Sequence, residues 1–460
     1  MSLAAALSRI DADLDASLAR LFEIIRIPSI STDPAYAADV ARAADWAAKD
    51  LASIGFEASV RPTTGHPMVV AHWTGPVERD APHVLFYGHY DVQPVDPLNL
   101  WERPPFEPAL ITRADGSKMI TGRGSADDKG QYLTFVEACR ALVATTGKLP
   151  VRVTVFLEGE EESGSPSLTA FLEANKAELS KDLALVCDTG MWDPTTPAIT
   201  ATLRGLVGEE VTIHCADRDL HSGSFGGAAL NPIRVLTKIL AGLHDDSGAC
   251  TLPGFYDGIT DPPKPVTDAW DAIGLTPEEF LGPVGLSTLA GEKGRSTLEQ
   301  IWTRPTCEFN GIVGGYAGDG FKTVLPAKAL AKVSFRLVRG QDPAKIRAAF
   351  RAYVTQSLPK DARAEFKEHG GSPGLALAFD SPSLAKARDA LTEEWGKPAL
   401  IIGAGGSIPV VGNFKQQLGM DSVMVGFGLD DDRIHSPNEK YDLTSYHKGI
   451  RSWARILAAL

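Results

Sequence analysis

Four short apolar runs, three of them leading into residues that can do chemistry, constrain this chain more than any other feature. Val69-Val70-Ala71, Val84 to Tyr87, Val151 to Phe156 and Leu183 to Val186 read as buried strands. Around them stand helical patterns: Leu3, Leu7, Ile10, Leu14, Leu18, Leu21 and Ile25 across residues 3–25, then about Tyr36 to Ile54, an amphipathic helix after Asp127, and Ser167 to Leu179. Asp115-Gly116 reads as a hairpin turn between Ala109-Leu110-Ile111 and Met119-Ile120. Alternation of this kind predicts an α/β fold with a mostly parallel sheet flanked by helices on both faces. Ligands in such sheets bind beyond the carboxyl ends of the strands, where His89, Glu161, Glu162 and Asp188 fall.

A chain of 460 residues is too long for one core. The pattern changes near Ala201 to Gly205. A strand (Glu209 to Cys215), a helix (Pro232 to Leu243), a strand (Ala329 to Val338) and a helix (Pro343 to Leu358) then form a candidate α+β unit, with loops and short helices over 245–305. Beyond Gly370 to Gly374 the first pattern returns, with a helix from Pro382 to Trp395, a glycine loop at Gly403 to Ser407, a strand Ser422 to Gly426 and a helix from Leu443 to Leu460. The expected division is therefore 1–203 and 375–460 as one domain, with 204–374 inserted into it.

A net charge of −13, with no basic run, argues against nucleic acid as a partner. No stretch approaches the ~20 apolar residues of a membrane span, and the amino terminus reads as an amphipathic helix instead of a signal peptide. Five scattered cysteines fit free thiols in a reducing compartment, so a cytoplasmic location is expected.

The chemistry gathers around Gly122-Arg123-Gly124-Ser125-Ala126-Asp127-Asp128-Lys129-Gly130. Taken alone, Asp128 is a helix N-cap and Asp127 a solvated neighbour. Likewise His89 and His435 are ordinary hydrogen-bonded histidines, Asp188 a turn former, and Glu158 to Glu162 an acidic surface. Jointly these readings fail, because His89, Asp127, Glu162, Asp188 and His435 supply the imidazole and carboxylate donors that borderline divalent ions take. A two-metal site also needs one carboxylate able to bridge. Glu161, beside Glu162, suits a general base for a water acidified by metal, and Asp91, two residues after His89, suits a carboxylate holding the other ring nitrogen.

The segments Gly88-His89-Tyr90-Asp91-Val92-Gln93-Pro94, Gly122 to Gly130, Glu161-Glu162-Ser163-Gly164-Ser165 and His435-Ser436-Pro437-Asn438-Glu439 resemble those of the two-zinc exopeptidases. That family includes cytosolic nonspecific dipeptidase, carnosinase, carboxypeptidase G, aminoacylase, acetylornithine deacetylase and succinyl-diaminopimelate desuccinylase. The resemblance runs nearly the full chain. It implies a catalytic domain with an inserted lid and dimerisation domain, and two divalent ions per subunit, zinc with manganese or cobalt as alternatives. By it Asp127 bridges the ions, His89 and Asp188 complete one set, Glu162 and His435 the other, and Glu161 is the base. His221 in Asp219-Leu220-His221-Ser222-Gly223 matches a histidine that reaches the partner subunit's site in a homodimer and stabilises the oxyanion. Arg336 matches a carboxylate clamp, and Asn310, Thr323, Gly406 and Ser407 match further substrate contacts. Without the resemblance His221 is an exposed loop histidine and Arg336 a surface arginine.

The dipeptidase and carnosinase branch is the closest match, with one departure: Ala404 stands where those dipeptidases carry an acid. The expected activity is metal-dependent hydrolysis of dipeptides or short peptides. An N-acyl amino acid deacylase or desuccinylase on the same scaffold is the alternative. A non-catalytic binding protein is the reading from another class, and it conflicts with an intact set of five ligands and a base.

Overall fold

The computed structural model describes residues 3–406 and 408–460. The chain forms two compact units, one taking in the chain up to Ala201, Leu377–Ile402 and Asn413–Leu460, the other Thr202–Ala376 and Gly403–Gly412.

In the first unit the sheet runs Phe56–Arg61, Met68–Trp73, Arg152–Glu158, His83–His89, Leu183–Val186, Ser422–Met424, Ala198–Leu203. Its heart is parallel, with Tyr87 opposite Phe156 on one side and Val186 on the other, and Met424 opposite Val186. The flanks are antiparallel. Successive side chains of a strand face opposite ways, and both faces here are covered. Phe86 stacks on Phe135 and meets Trp453 edge-on, whereas Tyr87 packs against Phe156 and Phe414. Aliphatic runs without polar alternation follow from that double burial.

The helix Lys129–Thr146 differs from expectation. It is buried from Lys129 to Cys139 on every side, because it lies against the His83–His89 strand and is covered by Leu3–Ala12 and Leu443–Ala459. The expected helix over 3–25 is two, Leu3–Ala12 and Leu14–Ile25, parted at Asp13, which forms an ion pair with Arg9. Residues 168–179 likewise form Leu168–Ala174 and Lys176–Leu179 around Asn175. At the second break the Asn175 side chain donates to the Phe171 carbonyl at 2.8 Å, a side-chain bond to backbone of the kind that competes with a helix.

The second unit centres on an antiparallel sheet in the order Thr306–Gly314, Lys328–Leu337, Gly205–His214, Arg363–Ser372. Burial alternates strictly along Gly205–His214, and its inward residues Val207, Val211 and Ile213 share a core with Leu236, Leu240, Ile346, Phe350 and Val354 of the helices Pro232–Ala241 and Pro343–Gln356. The two outer strands were not expected. Both are mostly exposed and carry glycine and charge; Thr306–Gly314 shows no apolar alternation, and Arg363–Ser372 alternates only as far as Lys367, with Ala364 and Phe366 packed on the core. The segment expected as a glycine loop begins as a strand, Leu400–Ala404. Among the described residues no helix is long and apolar enough to cross a membrane.

Candidate metal centre

The His83–His89 strand ends at the buried imidazole of His89, and Gly88 before it allows close approach to the Lys129–Thr146 helix. A Cβ at Gly88 would lie 2.6 Å from Tyr132 Cβ and 2.8 Å from Asp128 Oδ2. That approach lets the His89 N–H donate to Asp128 Oδ2 at 3.0 Å. Asp128 is thus the N-cap residue by position, but its carboxylate serves the neighbouring strand and caps nothing. Lys129, also fully buried, donates to the carbonyls of Ile24 (3.1 Å) and Ile27 (2.7 Å), which satisfies the end of the Leu14–Ile25 helix and fixes where the Asp127 loop turns inward.

Asp127 sits between two histidines. His89 Nε2 is 3.0 Å from its Oδ1 and His435 Nε2 is 2.9 Å from its Oδ2. His435 Nε2 is also 3.2 Å from Glu162 Oε2. Two groups result in which all ligand atoms lie within 4.8 Å of one another, His89 with Asp127 and Asp188, and Asp127 with Glu162 and His435. The five expected metal-ligating residues are all present in these groups, and Asp127 belongs to both. Asp188 follows the Leu183–Val186 strand, and Glu161 and Glu162 open a helical turn just past the Arg152–Glu158 strand.

Around them, Asp91 Oδ1 lies 3.3 Å from His89 Nδ1, and Asp91 Oδ2 accepts the N–H of Glu162 at 3.1 Å. Asp91 therefore spans both histidine and glutamate segments. Gln93 donates to Glu162 Oε2 at 2.7 Å, a contact sequence reasoning did not assign although Gln93 stands in the quoted His89 segment.

The electrostatics suit a cation. Burial first, then the carboxylates of Asp127, Glu161 and Glu162, push Asp188 well above the usual range. Burial, then Glu162 and Asp91, push Glu161 up to about 7. Asp127 goes the other way: burial disfavours its charge, but hydrogen bonds from His435 and His89 outweigh burial and hold it well below the usual carboxylate range. The same bonds raise His435 to about 10, the Asp127 bond counting most and the Glu162 bond next. Crowded, desolvated carboxylates that repel one another are what divalent ions neutralise, and Asp128 Oδ1 is buried with no hydrogen-bond partner. The donor set fits two metal ions.

The other expected site residues lie in the second unit. His221 and Thr323 meet at a short ladder in which His221 pairs with Val324 and the Ser222 N–H donates to the Thr323 carbonyl at 3.1 Å. His221 is exposed, and its Nδ1 accepts the Gly223 N–H at 3.0 Å, which leaves Nε2 to carry the ring proton as a donor. Arg336 pairs with Leu206 and Thr306, and Asn310 sits at a bulge between Phe309 and Gly311. Gly406 is exposed, and Ser407 lies outside the described residues. Arg204, unassigned from sequence, donates to the carbonyls of Gly405 (3.3 Å) and Gln300 (3.4 Å). Burial first and the nearby Arg336 second push it down to about 10. It stands between the Ala198–Leu203 and Gly205–His214 strands, two residues before Leu206, which pairs with Arg336.

Comparison with known proteins agrees with this geometry. The family model described as Peptidase family M20/M25/M40 matches residues 85–459. A Cys-Gly metallodipeptidase of Candida albicans is 31% identical over 456 residues, covering 94% of this chain and 92% of the relative. The human Beta-Ala-His dipeptidase is 30% identical over 377 residues, covering 81% and 73%. Among solved structures, the M20 family metallo-carboxypeptidase Sso-CP2 of Sulfolobus solfataricus superposes with a TM-score of 0.79 at 30% identity, covering 96% of this chain and 98% of that one. The dipeptidase Dug1p of Saccharomyces cerevisiae gives 0.76 at 26%, covering 100% and 98%. With the sheet, the ligand groups and these likenesses in agreement, the chain belongs to peptidase family M20/M25/M40 and is a metallopeptidase.

Proposed function

We propose that this metallopeptidase hydrolyses the peptide bond of dipeptides and other short peptides with a free carboxyl terminus. The observation that carries the reading is the membership of Asp127 in both ligand groups. His89, Asp127 and Asp188 hold one divalent ion, and Asp127, Glu162 and His435 the other, with zinc the first choice for this donor set and manganese or cobalt compatible. When bound, such ions acidify water and polarise a carbonyl. Glu161 takes the proton of the attacking water and returns it to the leaving amine, a role that suits a desolvated carboxyl beside the ligand groups. Asp91 orients the His89 ring and the Glu162 segment. The outward Nε2–H of His221 is the oxyanion donor, and Arg336 anchors the terminal carboxylate with Arg204 as its cationic neighbour. Asn310, Thr323, Gly406 and Ser407 contribute further substrate contacts.

Residues 204–374 act as lid and dimerisation domain. The Thr306–Gly314 strand supports a homodimer: it is an outer strand of its sheet, and Ile312 and Val313 are 54% and 65% exposed. In that dimer His221 of one copy serves the metal centre of the other. Five free cysteines support a cytoplasmic location.

A second reading, N-acyl amino acid deacylase, is favoured by Ala404, which offers no carboxylate to a substrate ammonium. Turnover of free dipeptides, N-acetylated dipeptides and N-acyl amino acids, each with a chelated control, separates the two. Metal-dependent cleavage of free dipeptides is expected. Preference for acylated compounds would replace this reading with the second, and no metal-dependent cleavage would overturn both.

A further inference from the structure

One buried ion pair in the first unit touches none of the five ligand side chains, yet it joins three of the segments that carry them. Glu439 is fully buried and both its oxygens are saturated. Oε1 accepts the N–H groups of Ala126 (2.9 Å) and Asp127 (3.1 Å), and Oε2 accepts the Gly124 N–H (2.9 Å) and Arg123 Nη1 (2.7 Å). The Glu439 carbonyl accepts the Gly122 N–H at 3.1 Å. Four backbone N–H groups of the Asp127 loop are therefore fastened to a residue four positions beyond His435. Arg123 extends the tie, since its Nη2 donates to the carbonyls of Pro94 (3.1 Å), beyond His89, and Ser436 (3.3 Å), directly after His435. Its guanidinium carbon lies 5.3 Å from the centre of the Trp101 ring.

We infer that Arg123 and Glu439 are positioning residues for the metal centre, a carboxylate–guanidinium strut that sets where Asp127, His89 and His435 stand relative to one another. The physical case rests on what each group replaces. Without the Glu439 carboxylate, the N–H groups of Gly124, Ala126 and Asp127 face a dry interior with no acceptor, and the loop must move to find one. A shift there moves the Asp127 carboxylate, and with it one oxygen of each ligand group. Backbone groups of ligand-bearing loops are held here in the way that outer carboxylates hold ligating histidines, and losing such support costs about 10–100-fold in metal affinity.

The inference rests on the reading of the five residues as metal ligands, and its test separates the two. Calorimetric titration of Zn²⁺ into metal-free wild-type protein comes first; absence of binding would overturn the ligand reading and this inference with it. With wild-type binding in hand, Glu439→Gln is expected to weaken metal binding about 10–100-fold, to change the visible spectrum of the Co²⁺-loaded protein, and to regain activity as free metal is raised. Arg123→Lys keeps the charge opposite Glu439 but forgoes the planar fork that reaches Pro94 and Ser436, so a smaller loss in the same direction is expected, with the fold retained. As a control, Glu394→Gln breaks a part-buried ion-pair cluster with Arg451 and Arg455 in the same unit. It should lower the melting temperature while leaving metal affinity and the Co²⁺ spectrum unchanged. If Arg123→Lys binds metal as wild type with an unaltered spectrum, or if Glu394→Gln weakens metal binding as much as Glu439→Gln does, the strut has no specific role and the inference fails.

Discussion

His89 and Asp127 are 38 residues apart in the chain and 3.0 Å apart in space, Nε2 to Oδ1. The second oxygen of the same carboxylate faces His435, so Asp127→Asn withdraws charge from both ligand groups at once, whereas His435→Ala or Glu162→Gln affects one. After dialysis against metal-free buffer, elemental analysis is expected to find almost no metal on Asp127→Asn and one ion per chain on His435→Ala. Two ions retained by Asp127→Asn would count against a shared ligand.

Glu161→Gln keeps size and shape but cannot accept a proton. The expected kcat is lower by about 10²–10⁴-fold, the usual contribution of a positioned acid–base group, with metal content unchanged. Steady-state kinetics alongside metal analysis reads both, and a kcat within a few-fold of wild type would remove Glu161 from the reaction.

Acid sensitivity has a specific source at the sheet's amino-terminal edge. His83 is pushed down to about 4 from 6.5, by burial first and then by Lys181 and Arg152, while its Nε2 contacts Thr154 Oγ1 at 2.9 Å. Its folded-state value is the lower one, so the unfolded chain takes up the proton first as pH falls. Stability at this site is intact above about 6.5 and is lost progressively toward 4, with about one proton taken up on unfolding at intermediate pH. Denaturation free energies across that window should fall less steeply for His83→Gln. Equal slopes would assign the acid sensitivity to other groups.

Phe86 is fully buried between Phe135 and Trp453 at the middle of the sheet. Truncation to alanine leaves a cavity that neighbours on both sides are too well anchored to fill. A loss of about 3–5 kcal/mol in denaturant unfolding is expected. A loss under ~1 kcal/mol would mean that the layer relaxes around the gap.

The parallel heart of the sheet and the ligand set were legible because both are written locally: unbroken aliphatic runs, then an acid or imidazole at the strand end. His89 ends such a strand, Asp188 and Glu162 follow two others within four residues, and Asp127 and His435 lie in loops. What escaped was set by distant packing. Thr306–Gly314 and Arg363–Ser372 pair with Lys328–Leu337 and Gly205–His214, and their own residues carry no alternation in the first and only a short one, Arg363 to Lys367, in the second. The helix Lys129–Thr146 looks one-sided in sequence and is buried all round because Leu3–Ala12 and Leu443–Ala459, far from it in the chain, close over it. Arg204 and the Arg123–Glu439 pair bond to backbone groups of distant segments, and Gln93 to a glutamate 69 residues away, contacts that leave no local pattern in the sequence.

The Ser422–Met424 strand lies between Leu183–Val186 and Ala198–Leu203, although some two hundred residues of chain are made in between. A nascent chain on the ribosome therefore carries an open slot in its central sheet, with two apolar strand edges unsatisfied, throughout synthesis of the inserted unit. Truncation anywhere before residue 422 leaves that slot permanently vacant, so premature stop products of this protein are candidates for chaperone retention and inclusion bodies, not smaller enzymes.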